Sequence, residues 1–344
     1  MSSVHRLSRT GLCILWVWAF ARFGWSDIDC ESDTTPPVIV CPADQTLDVD
    51  RNCTALVPNF RTCLNVTDNC STRSFSYQPP DPADFNAVRY VAPDGGNEAP
   101  YTSPTQAARV IQDAIDASSA GDLVLVAAGT YETGGRTAPG RSLMNRVYIP
   151  AGVTVASLVG TCDTTIRGRG PLGSLAMRGA WLERGGRLMG FTITEGHTNP
   201  HGAFIYDTAG GGVFLRSGGE LSQCVIKNNR AWESGGVHVQ FGPALVKNCR
   251  IENNIGEDGV GGLQLRDARD SVVEYCWITG NSTPRNFGGL HIVHAGRVSN
   301  CLIAKNAAGE AGGGGGVDRG TYYGHQEVIF ENCTIADNVG RRGV

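Results

Sequence analysis

From Gly211 onward, apolar and polar positions alternate in short runs that recur at a nearly constant interval. The runs open GGVFL (Gly211), GGVHV (Gly235), GGLQL (Gly261), GGLHI (Gly288) and GGVDR (Gly315), at spacings of 24, 26, 27 and 27 residues. Each period carries a second run: CVIKNN, CRIENN, CWITGN, CLIAKN and CTIADN. Cys224, Cys249, Cys276, Cys301 and Cys333 lead these blocks, and Ile226, Ile251, Ile278, Ile303 and Ile335 follow two positions later. Asn229, Asn254, Asn281, Asn306 and Asn338 stand five positions after the cysteines, and Leu221, Val246, Val273, Val298 and Phe330 three before them. Alternation with period two marks strands with one buried face. Its return every coil-length marks a solenoid whose neighbouring coils bury one another.

Cysteine and isoleucine at alternate positions therefore point inward, and coils stacked about 4.8 Å apart turn equivalent residues into ladders. Reduced cysteine is small and apolar enough for such a stack. The asparagines are expected at corners, where Asn tolerates a left-handed φ, and the glycine pairs at a second sharp turn. Leucine-rich, ankyrin and tetratricopeptide repeats lack support, because their leucine framework or helices are missing. Val147–Gly160 and Gly186–Gly196 show the same alternation less regularly, with Gly190 expected in the cysteine position and Cys162 outside the ladder. The fold class expected is all-β, a parallel β-helix, right-handed by the preference of parallel crossovers.

Upstream lies a different pattern. Arg89–Gly96 (RYVAPDGG) opens a new unit. Ser103-Pro104 then reads as an N-cap with proline in the first turn, and Ala107, Val110, Ile111, Ala114 and Ile115 as one face of a capping helix. Leu123–Val126 reads as a strand, followed by AAGTYE. A cap is needed because an open coil would expose apolar side chains and unpaired strand edges. Residues 31–80 are rich in Pro, Cys and Asp. Their TPPVIVCPAD and TDNC runs resemble the hyalin repeat (HYR) family, small immunoglobulin-like β-sandwiches, over about two-thirds of such a domain. The organisation expected is a signal peptide at 1–21, a partial HYR-like module at 30–78, a Pro-rich linker at 79–88, and a β-helix over 89–344 with regular coils at 210–344. The leader follows from His5, Arg6 and Arg9 before the apolar run Gly11–Ala21, and it implies a secreted protein without a transmembrane segment after cleavage. Cys30, Cys41, Cys53, Cys63 and Cys70 crowd into the module, as disulfide stapling in an oxidising compartment would require.

The GG[VL] and I-x-x-N blocks resemble the repeats of polymorphic outer-membrane proteins and, more widely, the pectate-lyase-like β-helix superfamily. The resemblance covers residues 89–344 and implies the fold and an adhesin-like or polysaccharide-acting role.

Composition adds exclusions. Glycine numbers 46 of 344 residues and charged residues 18%, as suits tight turns and argues against disorder. A net charge of -4 without a Lys/Arg stripe argues against nucleic acid as partner. Candidate chemistry lies on the outward positions of the strand after each glycine pair. One column holds Phe214, His238, Gln264, His291 and Asp318, and its neighbour Arg216, Gln240, Arg266 and Val293. An aromatic, imidazoles, an amide and guanidiniums on one exposed face suit an extracellular polysaccharide or cell-surface glycan; the same residues also suit a plain solvated wall. The competing class is a polysaccharide lyase or glycoside hydrolase. Asp258, Asp267 and Asp270 would then hold Ca2+, with Arg266 as the base. His197 and His201, flanking Asn199-Pro200, are a weaker metal candidate than a surface pair. Beyond Asn338 the sequence offers nothing to cover the last coil, so self-association through an open C-terminal coil around Val328, Phe330 and Ile335 is expected, unless the chain is a piece of a longer repeat protein.

Overall fold

The computed structural model describes residues 77–202, 205–309 and 328–340; elsewhere it gives only the backbone of short strand or helical segments. The chain divides into two compact units, Met1–Ser76 and Tyr77–Val344. In the first, Val38–Val40 pairs antiparallel with Asn65–Asp68, which pairs with Ser71–Arg73. The leader and Cys30, Cys41, Cys53, Cys63 and Cys70 lie outside the described residues.

The second unit is a parallel solenoid. Each coil contributes one strand to each of three sheets. Face 1 stacks Met144–Ile149, Met177–Leu182, Val213–Arg216, Val237–Gln240, Leu263–Arg266, Leu290–Val293 and Gly315–Asp318 in parallel. Face 2 runs from Val88–Val91 through Leu123–Val126 to Val328–Glu331, and face 3 from Gly129–Tyr131 to Thr334–Ala336. A ribbon of two-residue strands, from Arg230–Ala231 to Val339–Gly340, leads from face 3 back to face 1.

The inward rows follow the alternation. Val213, Val237, Leu263 and Leu290 are register partners, as are Leu215, Val239, Leu265 and Ile292, and all belong to one continuous core. Cys224, Cys249, Cys276 and Cys301 are free, buried thiols in that core, and the free thiol of Cys333 packs against it half-buried. Each thiol donates to the carbonyl two residues before it, as Cys249 does to Lys247 at 3.2 Å. The position one coil earlier belongs to Phe191, not Gly190: Thr192 pairs with Val225, which aligns Phe191 with Cys224. Gly190 falls instead on the preceding corner at φ +81°, matching Gln223 at φ 52°.

The asparagines do a different job from the one expected. They are buried, and the left-handed corner is taken by the preceding residue: Asn228, Asn253, Gly280, Lys305 and Asp337, with φ between 53° and 67°. The amide of Asn254 illustrates the ladder. Its Oδ1 accepts from the backbone N–H and Nδ2 of Asn229, each at 3.0 Å, while its Nδ2 donates to the Ile226 carbonyl and to Asn281 Oδ1, each at 2.9 Å. Asn281 and Asn306 repeat this pattern down to Asn338. A second left-handed corner precedes each cysteine, at Gln223, Asn248, Tyr275, Asn300 and Asn332.

The glycine pairs also serve another purpose than a positive φ. A Cβ on Gly235 would sit 2.5 Å from the Ile255 carbonyl group, and one on Gly236 2.5 Å from the Gly262 carbonyl oxygen. These glycines let neighbouring coils approach where a side chain would collide. The capping helix is shorter than expected. Ser103 caps a separate turn, Pro104–Gln106, and the α-helix spans Ile111–Asp116, with Ile111, Ala114 and Ile115 sealing the core.

Candidate functional site

Face 1 carries the outward column named above, but most of it is covered. Phe214 and His238 are 0% exposed and Gln264 is 4% exposed, while His291 is half-buried. Their side chains do leave the coil outward; at Phe214 a second apolar layer then closes over the sheet. It comprises Tyr148, Trp181, Phe214 and Ala209, with Ile205 and Tyr206 from the short helix Phe204–Thr208. This helix belongs to an enlarged corner, the strap, that folds back across the sheet. The column stacks: Trp181 on Phe214 with ring centroids 4.4 Å apart, Phe214 on His238 at 5.0 Å, and His291 on Phe287 at 4.2 Å. Ser234 Oγ lies 3.0 Å from His238 Nδ1 and donates to Gln264 Oε1 at 2.9 Å. His238 Nε2 meets Gln240 Oε1 at 3.1 Å, and Gln264 Nε2 meets His291 Nδ1 at 3.1 Å. Burial lowers the His238 pKa to about 3, assisted by the charges of Arg266 and Arg178, so the ring is neutral.

Asp318 does not join this column. The strand begins at Gly315, so Gly316 pairs with His291 and Asp318 with Val293. Gly315 and Gly316, which carry no side chain to place, form the start of the strand where Val317 was expected to begin it. Asp318 thus continues the neighbouring row of Arg216, Gln240, Arg266 and Val293.

The carboxylates proposed for calcium are not gathered. Asp258 precedes the strand Leu263–Arg266 and accepts from Arg285 Nη1 at 2.6 Å. Asp267 follows that strand and lies 2.6 Å from His294 Nδ1. Asp270 is exposed in the turn beyond. Among the described residues no group of three metal-ligating side chains forms, and His197 turns its Nδ1 to the Glu195 carbonyl at 3.0 Å.

What the fold does assemble is a groove around Arg266. A hollow of about 220 Å³ lies on one side, walled by Glu233, Gln264, Arg266, Asn286, Phe287 and His291 among others. A second, of about 360 Å³, lies on the other, walled by Tyr206, Glu233, Gln240, Phe241, Arg266 and Asp267, with Ile205. Glu233 and Arg266 face both. Arg266 is exposed, and Glu233 is half-buried. Burial raises the Glu233 carboxyl above the ordinary glutamate value; Asp258 adds to the rise and Arg266 opposes it. Tyr206, Phe241, Phe287 and Glu233 went unread in the sequence, because each sits in a corner whose path the repeat does not dictate.

Residues 193–335 match the family model described as "Right handed beta helix region". The fold is a right-handed parallel β-helix. Among solved structures, this β-helix is similar to a pectate lyase, with a TM-score of 0.48 at 14% identity over 74% of this chain and 64% of that one. It is also similar to a rhamnogalacturonan lyase (TM-score 0.38, 15% identity, 73% and 74% covered). A third is the pectin methylesterase of Aspergillus niger (TM-score 0.33, 13% identity, 75% and 87% covered). The chain spans 64% of the length of the pectate lyase. No curated protein sequence matches it. No helix among the described residues is long and apolar enough to cross a membrane.

Proposed function

We propose that this β-helix is a secreted or cell-surface protein that binds an extracellular anionic polysaccharide in the groove around Arg266, in the manner of an adhesin or scaffold. The observation that carries the reading is the position of Arg266: an exposed guanidinium between two sugar-sized hollows, flanked by Tyr206 and Phe241 on one side and Phe287 on the other. Aromatic faces suit pyranose rings, and a planar guanidinium suits a carboxylate. Gln264, His291 and Asn286 supply hydrogen bonds for hydroxyls. The module at 30–78 would then tether or space the binding unit.

Titration calorimetry with hexagalacturonate, and with cellohexaose as neutral comparison, tests this. Hexagalacturonate should bind, the neutral hexamer more weakly, and Arg266→Ala should cost about 10- to 100-fold in affinity, the value of one charge-assisted pair. No binding of either sugar, or equal binding by Arg266→Ala, overturns it.

A second reading, cleavage of the bound chain, is favoured by Glu233. A carboxyl raised by burial and lining both hollows is suited to hold or deliver a proton. A reducing-end assay on polygalacturonate decides it. Turnover lost in Glu233→Gln with binding retained makes the groove an active site, and absence of turnover in the wild type leaves it a binding site.

A further inference from the structure

The strap that covers face 1 is held by one residue from the coil beneath. Arg178 is fully buried on the strand Met177–Leu182. Its Nε donates to the Gly210 carbonyl at 2.9 Å, and its Nη2 to the carbonyls of Tyr206 and Ala209, each at 2.7 Å. Nη1 donates to Asn145 Oδ1 at 2.8 Å. Three of these four acceptors are strap backbone. A guanidinium out of water is costly unless its donors are met, so strap and arginine hold each other in place. The strap has a second tie: the Asp207 carboxylate accepts from Ser142 Oγ at 2.7 Å and from the Leu143 N–H at 3.1 Å. Between these anchors sits Tyr206, its ring 3.7 Å from the Arg141 guanidinium carbon and 5.8 Å from the Phe214 ring. Tyr206 is also a wall of the larger hollow.

We infer that Arg178 is a positioning residue for the groove: by gripping the backbone of residues 206–210 it fixes Tyr206 as a preformed wall for a sugar ring. It touches neither hollow and acts only through the strap. The inference rests on the groove being a glycan site. Its physical content is preorganisation: a ring already held costs less to order on binding than one on a free loop.

A double-mutant cycle separates this role from general stabilisation. Hexagalacturonate affinity is measured by calorimetry for the wild type, Arg178→Gln, Tyr206→Ala and the double variant, with hydrogen exchange followed over residues 199–210. If Arg178 acts through Tyr206, each single variant weakens binding about 10-fold and the double variant by about the same 10-fold, not 100-fold. Exchange in Arg178→Gln should rise in the strap while the coils beneath stay protected. Arg178→Lys, which keeps the charge and loses the fork, should fall between wild type and Arg178→Gln, and it replaces Arg178→Gln in the cycle if the latter does not fold. Multiplying effects, or unchanged binding in both Arg178 variants, would overturn the inference while leaving the groove reading intact. Failure of the wild type to bind removes the groove reading, and the inference with it.

Discussion

Removing one amide from the asparagine ladder should be among the most damaging single changes available to this fold. Asn254 is fully buried and joined to two neighbouring coils at once. In Asn254→Ala the Asn229 backbone N–H loses the acceptor 3.0 Å away and becomes an orphaned buried donor, and Asn229 Nδ2 loses one of its acceptors, also at 3.0 Å. The Ile226 carbonyl and the Asn281 amide each lose a partner at 2.9 Å. One buried orphan at about 1–3 kcal/mol, with three further bonds at about 1 kcal/mol each, gives a loss of about 4–6 kcal/mol. Asn254→Asp keeps the acceptor but points a carboxylate at two oxygens, and it should do no better. The neighbouring Asn253 is exposed and occupies the left-handed corner at φ 56°, so Asn253→Ala should cost only about 1 kcal/mol. Urea unfolding followed by circular dichroism, with the slope checked for unchanged cooperativity, measures both. A loss below about 1 kcal/mol in Asn254→Ala, or equal losses at the two sites, would refute the idea that the amide ladder carries the stack.

Two further predictions concern titration and reactivity. His238 has a folded pKa of about 3 against 6.5 unfolded, so its contribution is whole above pH 6.5 and is lost as pH falls towards 3, where only the unfolded chain takes up the proton. That window amounts to about 5 kcal/mol at most, so His238→Gln should flatten the acid limb of a stability–pH curve relative to wild type, and parallel curves would refute it. Iodoacetamide at pH 8 with peptide mapping should label exposed Cys162 ahead of the other described cysteines; Cys224, whose thiol burial pushes up to about 12, and Cys249, Cys276 and Cys301 should react only on denaturation. Disulfides between consecutive ladder cysteines would contradict the reduced stack.

Much of the coil was legible because its determinants are local and periodic. Cys-x-Ile alternation names the inward face, and the sequence interval names the stack, so the rows through Val213 and Leu215 follow directly. The outward face was legible only as a direction. Phe214 and His238 point away from the core, as their parity requires, but their burial depends on a strap from a different corner. No periodicity reports where an insertion lies down. The same limit hid Glu233, Phe241 and Phe287, which are corner residues brought together by stacking. Corner chemistry was read one residue off: after glycine, Asn is the residue type most tolerant of left-handed φ, yet here the ladder needs its amide indoors and leaves the corner to Asn228, Gly280 or Lys305.

The amide and thiol ladders lie along face 3 and its corners, whereas the groove is built on face 1. Between them runs the joint that leads from one to the other. His197 bridges to Arg230, so Gly196 and Asn229 are equivalent starting points. From there the chain takes 15 positions to reach Gly211 in the earlier coil and 6 to reach Gly235 in the later one. The longer path is the strap that roofs Phe214 and walls the hollow. Register is thus set at one edge of the prism and the proposed glycan contact at another, with a length-tolerant hinge of sequence between. Exchanging that single segment would redraw the floor plan of the groove while every rung of the two ladders stayed where it was, so the specificity of the proposed glycan site can drift without the stack having to be solved again.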